Sequence, residues 1–207
     1  MKIKGLALLL IVAGLLLIAM PKLTELYYDA QQEKLIRSWE NAMLTVDNGE
    51  DGETDAASPV EPVMAAAPQD GEADNEAEGM EGLLVIDKID LKLPILYGAT
   101  KENMKKSAAS IEGTGKAGEI GNFAVAGHRN RTFGRNFNRL DELEEGDTIE
   151  VEVAGNRYAY TVTEKPIVKP EDVWVLEGNG KDREITLVTC HPMVNPTERL
   201  IIKGKIV

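Results

Sequence analysis

The chain has one cysteine, Cys190, in 207 residues. No intrachain disulfide can staple the fold, and no Cys/His cluster offers the four ligands of a structural zinc. Histidine is almost as scarce, with only His128 and His191, so the choice of imidazoles for proton transfer is short. Aromatic residues are 5% of the chain and are not interleaved with a basic patch, which excludes a nucleic-acid-binding surface. Stability has to come from an ordinary apolar core.

Lysine and arginine are missing from residues 46–82, which contain 12 Asp or Glu. The rest of the chain balances, with 23 acidic and 23 basic residues, so the net charge of −12 belongs to one segment and says nothing about the surface of a folded body. That segment is low in hydrophobicity, rich in Pro, Gly and Ala, and self-repelling. It reads as a disordered tether of roughly 33 Å root-mean-square span.

Ahead of it, residues 5–20 form a run of 16 apolar or glycine residues between Lys4 and Pro21. The run resembles an uncleaved signal anchor over residues 1–22; a cleaved signal peptide is the competing reading, disfavoured because no small-x-small junction follows the run. The expectation is a transmembrane helix with Lys2 and Lys4 holding the N-terminus in the cytoplasm and the C-terminal body outside. Residues 23–45 lack Gly and Pro and predict a juxtamembrane helix with Thr24 as N-cap and Leu35, Trp39 and Ala42 or Met43 on one face.

From Leu83 the pattern changes to short β-branched runs. "LLVIDKIDLKLPIL", "NFAVAG", "DTIEVEV", "RYAYTVTEKPIV", "REITLVTC" and "RLIIKGKIV" are separated by Gly, Asn and Pro turns, with "AGN" at 154–156 as a hairpin signal. One short helix is expected at "KENMKKSA". The fold class is mostly β, a closed or nearly closed barrel over residues 83–207 with one or two short helices.

Three side chains could carry chemistry on such a barrel. Cys190 ends an apolar strand, and "HPMVNPTE" after it contains two prolines that cannot continue the ladder, which puts the thiol at a rim. His128 ends another strand, and Arg199 opens the last one. His191 adjoins Cys190, but side chains alternate along a strand, so it would point to the opposite face and His128 is the better partner. Each residue taken singly has a plainer reading: a buried free cysteine, a turn histidine, a solvated edge arginine.

Together, "TLVTC", the arginine nine residues on and the distant "AVAGHR" resemble the signature of the sortases, membrane-anchored cysteine transpeptidases of Gram-positive bacteria, and most closely their class D. The resemblance covers residues 83–207. It implies an eight-stranded barrel, with Cys190 as the acyl-thioester nucleophile, His128 as proton donor and acceptor, Arg199 stabilising the oxyanion and substrate, and Thr189, before the nucleophile, in substrate binding. It implies as partners surface proteins bearing an LPxTG-like or LPxTA sorting signal and an amine from peptidoglycan or its lipid-linked precursor, at the cell membrane, with no cofactor.

With ordinary pKa values, about 3% of a thiol is thiolate and about a quarter of an imidazole is protonated at pH 7, so fewer than about 1% of molecules carry both charges by chance. "DELEEGD" at 141–147 could suggest a calcium loop, but acidic residues at a turn are usually solvated, and no metal is expected. The alternative from another class is a membrane-tethered β-barrel binding module with a structural cysteine. A third reading is a cysteine hydrolase that uses water.

Overall fold

The computed structural model describes residues 2–47 and 79–207. In chain order the elements are α1 (Lys2–Asp47), β1 (Met80–Ile86), β2 (Leu91–Leu96), α2 (Lys101–Lys106), β3 (Ala108–Ser110), β4 (Gly121–Ala126), β5 (Thr148–Val153), β6 (Asn156–Glu164), β7 (Ile167–Val168), β8 (Arg183–His191) and β9 (Glu198–Lys205). The strand order is β6-β5-β1-β2-β3-β4-β8-β9-β7, and β6 also pairs with β9. That extra pairing closes eight strands into a barrel and leaves β7 as an accessory on β9.

Local sequence explains the turns. The run from Leu83 to Leu96 splits into two strands because Asp90 takes a left-handed conformation (φ 51), which Asp tolerates better than most residues. Ala154 and Gly155 both have positive φ, the geometry that a two-residue hairpin between β5 and β6 requires. Thr100 caps α2 by accepting a hydrogen bond from the Asn103 backbone N–H at 3.2 Å, and Lys105 and Lys106 lie in its last turn, where cations suit the helix dipole. Pro94 faces Leu83 on β1, whereas the three-residue β3 pairs only with Ile95 and Leu96 on the other side. The missing N–H therefore costs the sheet little.

The core lies inside the barrel. Leu84, Ile86, Leu93, Ile95, Phe123, Val125, Ile149, Val151, Ile185, Leu187, Leu200 and Ile202 form one buried cluster. Burying each such side chain contributes about 1.5–3 kcal/mol before conformational entropy is counted. On β8 the core residues are Ile185 and Leu187, and on β9 they are Leu200 and Ile202. Alternation then assigns Thr189 and His191 to the interior face, and Val188, Cys190 and Arg199 to the outer face.

The N-terminal expectations are corrected. Among the described residues no helix is long and apolar enough to cross a membrane. The transmembrane segment over residues 1–22, the single-pass placement in the cell membrane and the membrane as a partner fall with that finding. The apolar run of 16 residues makes roughly 24 Å of helix against a hydrocarbon core of ~30 Å. The boundary between residues 1–22 and 23–45 also disappears, because α1 is a single helix of 46 residues with Pro21 inside it. Thr24 is consequently no N-cap; its hydroxyl donates to the Met20 carbonyl at 2.9 Å, one turn back. The barrel begins at Met80, not Leu83, and most of the tether at 46–82 lies outside the described residues.

The polar half of α1 docks on the barrel. Leu35 is buried in a small cluster with Leu96 and Ala109, beside Met80 and Met104. Gln32 donates to Asn136 Oδ1 at 2.9 Å, Lys92 pairs with Glu40, and Arg135 reaches both the Glu25 carbonyl at 3.1 Å and Asp29 Oδ1 at 2.9 Å. Leu35→Asp would put a charge into the apolar contact that Leu35 makes with Leu96 and Ala109. Hydrogen exchange across residues 25–40 should then accelerate while β4 and β8 keep their protection.

Candidate active site

The site is built on the parallel pair β4 and β8, which runs in register from Gly121↔Arg183 to Ala126↔Val188. Two further bonds extend it beyond β4: the Gly127 N–H donates to the Val188 carbonyl at 3.1 Å, and the Thr189 hydroxyl donates to the Gly127 carbonyl at 2.8 Å. Continuing that register by one residue puts His128 beside Cys190. On the other side of β8, Cys190 is the direct partner of Arg199 in the antiparallel pair with β9. His128, Cys190 and Arg199 thus form a row across three adjacent strands, about 4.8 Å apart per strand, with the cysteine in the middle and all three on the outer face.

Lower down, the same outer face is covered. The 3₁₀ turn Val173–Leu176 lies over it, and the Val175 carbonyl accepts from Asn122 Nδ2 at 3.2 Å while the Thr186 hydroxyl donates to Asn122 Oδ1 at 2.9 Å. The row lies above this cover: Cys190 and Arg199 are half-buried and His128 is exposed. Gly127 is the glycine this packing demands, since a Cβ there would come within 2.6 Å of the Phe137 ring. The loop after His128 folds back so that the Phe137 N–H bonds the His128 carbonyl at 3.1 Å.

Electrostatics at the row are asymmetric. Arg199 donates from Nη1 to the Glu198 carbonyl at 2.8 Å, and among the described residues no carboxylate pairs with its guanidinium. Its remaining donors suit a developing oxyanion or substrate carbonyls. The His128 pKa is lowered from 6.5 by partial burial, although much of the ring stays open to solvent. This moves the imidazole further toward its neutral form at pH 7.

Thr189 does not offer its hydroxyl to a substrate in this structure: it is 2% exposed and already bonded to Gly127. It acts as the tether between the two strands. Sequence reasoning missed this role, and it missed Arg129. The Arg129 side chain is 5% exposed and pairs with Asp141 at 2.8 Å, and its Nη1 lies 3.0 Å from His191 Nδ1. The acidic loop at 141–147 is occupied by such pairs, Asp141 with Arg129, Glu142 with Arg139, and Glu144 and Asp147 with Lys88. Among the described residues no group of three or more His, Cys, Asp or Glu gathers in a metal-binding arrangement.

Thr189→Val keeps the shape and removes the tether, which should cost about 1 kcal/mol in urea unfolding. By NMR titration, His128 should titrate below 6.5. With its folded pKa depressed, the unfolded chain binds the extra proton first, so His128 subtracts stability as pH falls from 6.5 to the folded value and contributes nothing above 6.5. His128→Gln should flatten that part of the stability profile.

A family profile described as the sortase domain matches residues 84–207. Sortase A of Bacillus anthracis is 31% identical over 205 residues, covering 97% of this chain and 92% of that protein. Sortase D of Bacillus subtilis is 29% identical over 127 residues, covering 60% of this chain and 62% of that protein. Among solved structures, a Clostridium perfringens sortase D5 transpeptidase superposes with a TM-score of 0.57 at 31% identity, covering 62% of this chain and 79% of that one. With relatives of this extent aligned along a barrel whose wall carries cysteine, histidine and arginine in one row, the chain belongs to the sortase family and is an enzyme of its cysteine transpeptidase and hydrolase type.

Proposed function

We propose that the chain cleaves an LPxTG-like or LPxTA sorting signal after its threonine and transfers the new carboxyl end to a cell-wall amine. The row His128–Cys190–Arg199 carries this reading, because it aligns a nucleophile, a proton carrier and an unpaired cation on one solvent-facing surface. Cys190 Sγ, its proton passed to His128, attacks the threonine carbonyl carbon, and the oxygen's developing charge is met by the Arg199 guanidinium. His128 protonates the departing nitrogen as the peptide C–N bond breaks, leaving a thioester. The acceptor amine, from peptidoglycan or its precursor, then attacks that carbonyl. It gives a proton to His128, and the Cys190 thiolate leaves.

A subclass reading of class D rests on the resemblance to Sortase D of Bacillus subtilis and the Clostridium perfringens sortase D5. The length-matched alignment with Sortase A of Bacillus anthracis favours a second, class A reading. Profiling cleavage across LPxTG and LPxTA peptides tests which signal this chain takes.

The test is to incubate the full chain with fluorogenic LPxTG and LPxTA peptides, with and without an amine acceptor. A thioester adduct at Cys190 should be visible by mass spectrometry, and amide product should exceed hydrolysis once amine is added. Cys190→Ala and His128→Ala should lose turnover by roughly a thousandfold or more. Arg199→Lys should fall by roughly a hundredfold, because an ammonium cannot reproduce the planar fork. An active Cys190→Ala would remove Cys190 as the nucleophile, and a wild-type chain that binds the peptides without cleaving them or forming the adduct would be a binding module with a structural cysteine. Equal product with and without amine would make it a hydrolase.

A further inference from the structure

Behind the catalytic row is a second row, displaced by one residue on each strand. Arg129 follows His128, His191 follows Cys190, and Glu198, which precedes Arg199, is the register partner of His191. Alternation turns these three toward the barrel interior, above Thr189, Phe123 and Val125. The contacts confirm the arrangement for two of them: Arg129 Nη1 lies 3.0 Å from His191 Nδ1. The same guanidinium pairs through Nη2 with Asp141 at the end of the 3₁₀ turn Phe137–Glu142. Its Nε is buried without a partner.

We propose that Arg129 is a positioning residue for catalysis: by holding His191 and Asp141 from the barrel mouth, it locks the end of β4 to the end of β8 and so keeps His128 aligned with Cys190 on the other face. Three features of the structure support this. A guanidinium at 5% side-chain exposure is costly to bury, and what repays it here is a contact between the two segments that carry the catalytic pair. Beyond Thr189 the ladder between those segments has stopped, because β4 ends at Ala126. The Arg129–His191 contact is the next cross-link after the Thr189–Gly127 bond, so it controls the residues nearest the chemistry. The loop is further fixed by the Arg129↔Asn136 bridge, and Asn136 is the residue on which α1 docks through Gln32.

The contact also defines a chemical state. Arginine has only donors, so for this contact to be a hydrogen bond His191 Nδ1 accepts and the ring proton sits on Nε2. His191 is thereby an anchor point and not a second proton carrier, which separates the roles of two histidines that adjoin the same site.

This inference rests on the transpeptidase reading for its kinetic test but not for its spectroscopic one. In the full chain, Arg129→Met should lower kcat for the sorting peptide by roughly tenfold or more while KM changes by less than about threefold, as expected for misalignment and not for lost binding. Imidazole ¹⁵N shifts should show His191 as the Nε2–H tautomer in the wild type and as a tautomer mixture in Arg129→Met. His191→Phe should cause a similar loss of kcat, and the double variant should be no slower than the slower single, since both remove one contact. The proposal is overturned if Arg129→Met keeps kcat within about twofold, if the two losses multiply, or if wild-type His191 carries its proton on Nδ1. Should Arg129→Met fail to fold, the wild-type tautomer and the kcat of His191→Phe decide: an Nδ1–H ring or an unimpaired His191→Phe rejects it. A wild-type chain that cleaves no sorting peptide refutes the function proposed above, and the tautomer then decides whether the anchor exists.

Discussion

The parallel contact between β4 and β8 is the constraint on which the rest of the molecule depends. It joins segments some sixty residues apart in sequence, and parallel neighbours cannot be linked by a tight turn. Everything between them, from the long loop after His128 through β5, β6 and β7, is the crossover that allows the pairing. The register of that contact decides which residue faces Cys190. A slip of one residue would exchange His128 for Gly127 or Arg129 and turn the wrong side chain outward. The Gly127 N–H and the Thr189 hydroxyl guard against such a slip at the place where the regular ladder ends, and Arg129 with His191 extends the guard by one more residue.

This explains why the site lies where it does. A β-barrel of eight strands has an interior just wide enough for side chains to fill, and here Phe123, Ile149, Ile185 and their neighbours fill it. The catalytic row instead lies on the outer wall, beyond the part that the 3₁₀ turn Val173–Leu176 covers. The row of three residues across adjacent strands needs no convergence of distant loops. It follows from strand spacing once the register is set.

Parts of this were legible in the sequence for identifiable reasons. Cys190 and Arg199 flank one short connection, so their pairing followed from hairpin logic. The closed barrel followed from regular turn signals, and the hairpin at Ala154–Gly155 from its residues. That His128 and not His191 shares a face with Cys190 followed from alternation, but the register that brings His128 level with Cys190 is a tertiary fact that no spacing encodes. Arg129 was read only as the end of a motif, because its burial depends on His191 and Asp141, both remote in the chain or on other elements. The same limit applies at the N-terminus. Helical character in residues 23–45 was visible, but its continuity through Pro21 was not, nor was its docking on the loop from Thr132 to Asn136, and the expected membrane crossing is overturned by a run too short for it. The bond from Thr189 to Gly127 was not legible because position next to a nucleophile does not reveal which way a hydroxyl points.

β8 is read in two interleaved ways. Ile185, Leu187, Thr189 and His191 answer to packing and cross-linking, so substitutions there act on folding and on alignment at once. Val188 and Cys190 answer to what approaches from solvent. A sheet wall of this kind separates the two demands by a period of two residues within a single strand. Preference for one peptide over another can therefore drift through the outward positions with little effect on whether the barrel forms, while the inward positions have little room to change at all.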